Sequence, residues 1–322
     1  MKISVIIPVY NSEATLGSLV NTLLQVLHQY ELEVVLVNDA SKDKSEVICD
    51  NLSKENRCVK FISLRKNRGE HNAVICGLNY CTGDYVAIID DDFQNPPSEI
   101  ISLLNKAIIH NYDVVYAKYK QKRHSFFRNI GSAVNDWSVG FLIGKPKGLY
   151  LCSFKLLKNE VVSEIISYKG PFPYIDALIL RCTDNIGTQT VLHADRVQGK
   201  SNYTIRKLIS VFLNILLNFS HKPLRIVAIS GIMISLISVL LFIFVLYEKI
   251  FVSDTPPGWA FLSLLLLFST GVTFFVIGLL GEYIGKILMT LNNTPQYTIK
   301  RQVNTESYTK TIVNADYDRE AV

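Results

Sequence analysis

The sequence predicts an α/β domain with a mainly parallel sheet, followed by an interfacial helix and a two-helix transmembrane hairpin. Short runs rich in β-branched residues alternate with amphipathic stretches through the first part of the chain. Polar and acidic residues follow those runs and would gather at one sheet edge. Apolar residues concentrate between Ile226 and Gly281. The 322 residues allow about two domains. Charged residues make up 19%, below the ~25% usual for soluble domains. With a mean hydropathy of +0.23, that balance excludes a disordered chain, a coiled coil or a collagen-like repeat. The net charge of +5 lies largely beside the apolar stretches, so it points to a membrane surface; no nucleic-acid partner is expected.

Ile3–Val9, Glu33–Val37, Val59–Leu64 and Tyr85–Asp90 read as strands buried on both faces. Ser12–Gln29, Lys42–Lys54 and Glu70–Cys81 read as the helices between them, with Ser12 and Ser41 as candidate N-caps. Met1-Lys2 leads directly into the first strand, so no cleavable signal is expected and the domain should stay in the cytosol. The six cysteines include no CxxC pair and are expected to be free, buried and not zinc ligands.

In open parallel sheets, ligands bind beyond the carboxyl ends of the strands. Here those ends carry Tyr10-Asn11-Ser12-Glu13, Asn38-Asp39-Ala40-Ser41, Arg65-Lys66-Asn67-Arg68-Gly69-Glu70-His71 and Asp90-Asp91-Asp92-Phe93-Gln94. Three adjacent carboxylates repel one another, and a divalent cation with a preference for hard oxygen ligands would relieve that repulsion. A solvated acidic turn is the alternative reading of the same residues.

Ile226–Tyr247 and Thr255–Gly281 contain no charged residue, and each is long enough to cross a ~30 Å hydrocarbon core. Arg206, Lys207, Lys222 and Arg225 precede the first, and Lys286, Lys300 and Arg301 follow the second, which would place both ends on the cytosolic side. The expected organisation is a domain over 1–200, an amphipathic interfacial region over 201–222, two spans within 223–288 (about 226–247 and 258–281), and a polar tail over 289–322. Within His193–Thr204, Arg196 offers a bidentate fork for a phosphate, and Lys200, Ser201 and Tyr203 can add donors. A basic juxtamembrane stretch that merely touches anionic lipid fits the same residues. The glycines at 271, 278, 281 and 285 could pack against a partner helix in a homo-oligomer, or serve the hairpin's own packing.

The segments Ser4–Glu13, Val34–Asp43, Leu64–Leu78 and Gly83–Pro97 resemble the successive motifs of family 2 glycosyltransferases with the GT-A fold. Arg65–Ala73, Gln94–Pro97 and Gly278–Lys286 narrow the resemblance to the membrane-bound polyprenyl-phosphate glycosyltransferases, nearest to the undecaprenyl-phosphate formamido-arabinose transferases and more distantly to the dolichyl-phosphate mannose synthases. The resemblance implies a UDP-sugar donor, an undecaprenyl (polyprenyl) phosphate acceptor and a divalent metal, Mg²⁺ or Mn²⁺. By it, Asp90 and Asp92 would hold the metal with Gln94, and Asp91 would face the sugar or ribose. Asp39 would bond the uracil, while Pro8, Tyr10 and Glu13 line the nucleoside pocket. Arg196, Lys200, Ser201 and Tyr203 would hold the acceptor phosphate, and Asp91, Asp92 and Arg196 would form the catalytic group. It further implies inversion at the anomeric carbon and residence in a bacterial inner (cytoplasmic) membrane. Ser153 stands where many members carry an acid, which puts a carboxylate base there in doubt. Two other readings remain: transfer to a hydroxyl acceptor, with Asp176 or Asp184 as base, and a non-catalytic membrane scaffold.

Overall fold

The computed structural model describes residues 1–119, 145–146, 148–192 and 258–305, with isolated positions at 140 and between 227 and 251. The chain divides into two compact units: Met1–Ile130, Pro146–Asn202 and Pro295–Val322 form one, and Gly131–Lys145 with Tyr203–Thr294 form the other.

The first unit is built on an eight-stranded sheet. It comprises β1 (Lys2–Val9), β2 (Glu31–Asn38), β3 (Val59–Leu64), β4 (Tyr85–Ile88), β5 (Val114–Tyr119), β6 (Lys155–Lys158), β7 (Ile186–Val191) and β8 (Ile299–Val303), in the order β7-β5-β6-β4-β1-β2-β3-β8. β1 to β4 are mutually parallel, and so are β5 and β7; β6 and β8 run antiparallel to their neighbours. The helices of this unit are α1 (Leu16–Val26), α2 (Ser45–Glu55), α3 (Glu70–Tyr80), α4 (Glu99–His110), α5 (Asn159–Ile166) and α6 (Ile175–Cys182). The central strands are continuous Val, Ile and Leu runs because helices cover both faces. Val37 faces Gly77 of α3, where an added Cβ would sit 2.5 Å from Ile6 Cγ2 and 3.4 Å from Val37 Cγ2. The next side chain points the other way: Asn38 donates to Ser63 Oγ at 3.3 Å, which in turn donates to Glu46 of α2 at 3.0 Å. α2 and α3 therefore lie on opposite faces.

The expected strands and helices are present, but both predicted N-caps are displaced. α1 begins at Leu16 and α2 at Ser45. The Ser12 hydroxyl is drawn to Asp91, and Ser41 Oγ accepts the Asn11 N–H at 3.1 Å. Loop-to-loop bonds thus outcompete capping. All six cysteines are free; Cys49, Cys76 and Cys152 are buried and Cys182 is exposed.

The second unit holds α7 (Trp259–Leu291). It starts where the second span is expected and continues past Gly281, since Glu282 and Lys286 are strong helix formers at i,i+4 spacing. Within it, Phe268–Leu291 is long and apolar enough to cross a membrane, and none of its hydrophobic window is buried. A Cβ added at Gly271, Gly278, Gly281 or Gly285 would meet nothing within 4 Å. Most of the first expected span, the interfacial helix over 201–222 and the chain after 305 lie outside the described residues.

No sequence pattern announces that the chain after α7 returns to the first unit. Within the expected polar tail, β8 pairs antiparallel with β3. Its strand is only half apolar because it is an edge. Lys300 pairs with Glu46 at 2.9 Å and Arg301 with Asp50 at 2.7 Å, while Gln296 donates to the carbonyls of Tyr168 and Gly170 at 2.9 and 2.8 Å. Asn304 donates to the carbonyls of Ser53 and, at 2.9 Å, Val59.

Candidate active site

The loops after β1 and β2 are laced together by backbone amides and short polar side chains. Asn11 takes a φ of 55°, and its Oδ1 accepts the Lys42 N–H at 2.8 Å. Glu13 Oε2 accepts the Lys44 N–H at 2.9 Å, and the Glu13 N–H donates to Asp43 Oδ2 at 3.1 Å. Pro8 is buried within β1 opposite Val37, and Tyr10 is exposed just beyond it. Asp39 follows β2 and is buried. Its two oxygens accept the N–H groups of Arg68 at 2.7 Å and Gly69 at 2.8 Å, which ties it to the start of α3. Burial nevertheless pushes its carboxyl up, against those two bonds and the Arg68 charge.

The acidic triplet divides between two sides of the chain. β4 and β6 pair Ile88 with Lys155. Continued by two residues, that register sets Asp90 opposite Ser153, whose hydroxyl donates to Asp90 Oδ2 at 2.5 Å. Alternation along extended chain sends the next side chain the other way. Asp91 Oδ2 accepts the Tyr10 N–H at 2.9 Å and the Ser12 hydroxyl, and the Asp91 carbonyl accepts from Thr15 Oγ1 at 2.6 Å. Asp92 Oδ1 accepts the Gln94 N–H at 3.1 Å across Phe93, which has a φ of 62°. Burial, then the charges of Glu70 and Asp92, push Asp90 up to about 7, although the Ser153 bond and Lys155 oppose the rise. Burial also pushes Asp91 up to about 6, with Asp90 and Asp92 adding to it and the bonds from Ser12 and Tyr10 opposing.

Beneath the triplet lies a buried polar cluster. Lys155 and Asp176 are 3% and 7% exposed and form an ion pair. Tyr116, fully buried, donates its hydroxyl to Asp176 Oδ1 at 2.9 Å, and the Lys155 ammonium lies 5.0 Å from its ring centre. His71 meets Tyr174 edge-on at 4.9 Å, and burial holds its imidazole down at about 4, so it is neutral near pH 7. Alongside, Cys152 donates to the Tyr119 hydroxyl at 3.1 Å, which donates to Asn95 Oδ1 at 2.8 Å.

Lys155 and Asp176 are thus buried and paired with each other, not surface residues. Asp184 is exposed and precedes the amino end of β7, away from the carboxyl ends of its neighbours. The structure brings Tyr10, Glu13, Asp39, Asp90, Asp91, Asp92 and Gln94 to the carboxyl-end loops of β1, β2 and β4, with Pro8 just before them in β1. Arg196, Lys200, Ser201 and Tyr203 lie outside the described residues. Among the described residues, no three His, Cys, Asp or Glu side chains form a group that could hold a metal ion by themselves.

The sheet order and the acidic turn after β4 define a GT-A fold. Crystal structures of glucosyl-3-phosphoglycerate synthase from Mycobacterium tuberculosis share it. One, in complex with phosphoglyceric acid, is 18% identical with a TM-score of 0.50, covering 67% of this chain and 77% of that one. Another, with Mn²⁺, UDP-glucose and phosphoglyceric acid, is 17% identical with the same TM-score and coverage. The sequence profile of glycosyl transferase family 2 matches residues 4–157. Undecaprenyl-phosphate 4-deoxy-4-formamido-L-arabinose transferases are 31% identical over 94% of both chains in Photorhabdus laumondii and 31% over 96% in Proteus mirabilis. An uncharacterized glycosyltransferase of Bacillus subtilis is 29% identical over 94% of this chain and 95% of its own. The chain belongs to glycosyltransferase family 2 and is a glycosyltransferase.

Proposed function

We propose that the protein transfers a sugar from a UDP-sugar to undecaprenyl phosphate at the cytosolic face of a bacterial inner membrane, with inversion at the anomeric carbon. The observation that carries this reading is the acidic turn Asp90-Asp91-Asp92 set at the carboxyl end of β4, in a chain 31% identical to undecaprenyl-phosphate 4-deoxy-4-formamido-L-arabinose transferases. These groups fit a divalent cation, Mg²⁺ or Mn²⁺, held by Asp90 and Asp92 with the Gln94 carbonyl. A cation of this kind is usually bound by one or two carboxylates plus substrate phosphates, which accords with the small donor set here. When bound, it supplies Lewis-acid stabilisation of the departing UDP diphosphate. Asp91, fixed by Tyr10 and Ser12, braces the nucleoside-side loop and faces the sugar or ribose; Asp39 accepts from the uracil ring, and Pro8, Tyr10 and Glu13 border it. Arg196, with Lys200, Ser201 and Tyr203, holds the acceptor phosphate, and α7 provides a span of the membrane in which that lipid resides.

The acceptor assignment also rests on what a hydroxyl acceptor would require. A hydroxyl must lose a proton as it attacks, so a free carboxylate should stand near it. Asp176 is sequestered with Lys155 and Tyr116, and Asp184 is remote. A phosphate monoester, with a second pKa near 6, needs no such base. The test uses the purified full chain in lipid nanodiscs with Mn²⁺ or Mg²⁺, a panel of UDP-sugars and undecaprenyl phosphate. Mass spectrometry should find a lipid-linked sugar. Its absence, where a related transferase yields one, would overturn the reading.

A further inference from the structure

We propose that Asp176 is a positioning residue and not a general base: it fixes Lys155 as a buried cation behind Asp90, and so holds the entry to β6, with Ser153, against that carboxylate. The inference rests on the preceding reading that Asp90 binds the metal-nucleotide. The geometry is continuous from one group to the next. Lys155 is opposite both Ile88 and Tyr116 in the sheet register, so its side chain emerges on the face that carries Asp90. Two residues earlier on the same strand edge, Ser153 donates to Asp90. Asp176, in the first turn of α6, accepts from Lys155 and from the Tyr116 hydroxyl.

The Tyr116 ring lies beside the ammonium, and its hydroxyl occupies the carboxylate. His71, from α3, adds no compensating positive charge because it is neutral. A lysine this deeply buried keeps its charge only with a counterion held in good geometry. Asp176 supplies it: its Oδ1 accepts from both the ammonium and the Tyr116 hydroxyl. Partners that orient a metal ligand typically change metal affinity tenfold to a hundredfold when removed.

Binding of Mn²⁺·UDP to the full chain, followed by electron paramagnetic resonance of the bound Mn²⁺, separates the two roles, with transfer measured in parallel. Asp176→Asn and Lys155→Met should each weaken Mn²⁺·UDP binding by about tenfold or more. In the double variant Lys155→Met/Asp176→Asn, binding should be no weaker than in Lys155→Met alone, because Asp176 acts only through Lys155. Tyr116→Phe keeps the core volume and should produce a smaller loss of the same kind, which serves if a charge variant does not fold. A general base does not touch the metal-nucleotide. The proposal is therefore overturned if Asp176→Asn abolishes transfer with Mn²⁺·UDP affinity unchanged, or if the double variant binds much more weakly than Lys155→Met alone. Intact Mn²⁺·UDP binding without transfer to undecaprenyl phosphate would instead count against the acceptor reading alone.

Discussion

At the amino ends of the parallel strands, the buried Glu33 carboxylate accepts from Ser4 Oγ at 2.6 Å and from the Thr82 N–H and hydroxyl at 2.8 and 2.9 Å, and pairs with Lys60 at 2.7 Å. Burial pushes Glu33 up, yet the bonds from Lys60, Ser4 and Thr82 outweigh it and hold the carboxyl below its ordinary value. At the carboxyl ends of the same sheet, Asp90 and Asp91 are crowded by Asp92 and are pushed up to about 7 and about 6, burial being the main cause for each. One end solves the problem of a buried charge internally. The other leaves it partly unsolved, at an electrostatic cost to the free protein that a bound cation would remove. That contrast sets the buried Glu33 apart from the half-buried Asp90 and Asp91, which we assign to the donor site.

The sharpest way to break the comparison is to neutralise one carboxylate at each end. Asp90→Asn should lower transfer by about a hundredfold to a thousandfold, the scale of losing a main electrostatic stabiliser. It should also raise the melting temperature of the metal-free protein, because a repulsive buried charge is gone; a lowered melting temperature with intact transfer would reverse the assignment. Glu33→Ala should do the opposite. It leaves Lys60 without its buried partner and should cost about 3 kcal/mol in urea denaturation, with activity per folded molecule preserved. Gly83→Ala should follow at about 1–3 kcal/mol. Its Cβ would lie 2.6 Å from the Ser4 backbone nitrogen, in the wall of the Glu33 site, where no side chain can swing aside.

pH sharpens the same contrast with smaller effects. Glu33 is depressed in the folded state, so its contribution is present above its ordinary value of 4.5 and is lost as pH falls below it. Asp90 and Asp91 are raised, so the folded form gains protons over the unfolded one between about 4 and about 7. Metal-free protein should therefore melt higher near pH 5 than near pH 8, and lower again below pH 4.5; Mn²⁺·UDP should flatten the upper limb. A metal-free melting temperature that rises from pH 5 to 8 would contradict the site's electrostatics. The mildest change is Ser153→Ala. It removes the hydrogen bond that orients Asp90 and should weaken Mn²⁺·UDP binding and transfer by about tenfold, the lower end of what such partners contribute.

Much of the fold and of the donor side is legible in the residues themselves. The β-branched runs of β1 to β4 declare themselves because parallel strands covered on both faces must be apolar throughout. The acidic triplet directly after Ile88-Ile89 singles itself out because three carboxylates beside a core strand repel one another, although a solvated turn fits the same residues. What the sequence hides is non-local. β6 enters antiparallel between β4 and β5, so no local pattern announces that Ser153 faces Asp90 or that Lys155 lies under the triplet. Alternation through Ser153-Phe154-Lys155-Leu156-Leu157 is the one local signal, and a lysine in it reads as solvent-facing until Asp176 is placed. The N-caps mislead for a related reason. Ser12 and Ser41 are good capping residues, but Asp91 and Asn11, distant in sequence or on another loop, compete for their hydroxyls.

The closing strand β8 has a consequence for the order in which the molecule can be completed. β3 is made by residue 64, yet the strand that covers its open edge ends at Val303, beyond the apolar helix. At translation speeds of about 5–20 residues per second, that edge stays uncovered for roughly tens of seconds on the ribosome. An open strand edge is a template for pairing with other chains. Arrested nascent chains ending before residue 295 should accordingly be more protease-sensitive and more prone to associate than those extending past residue 305. The final layer of the enzyme is laid down only after its long apolar helix has been made, so an assembled sheet certifies that the ribosome has already delivered the one described segment long and apolar enough to cross a bilayer.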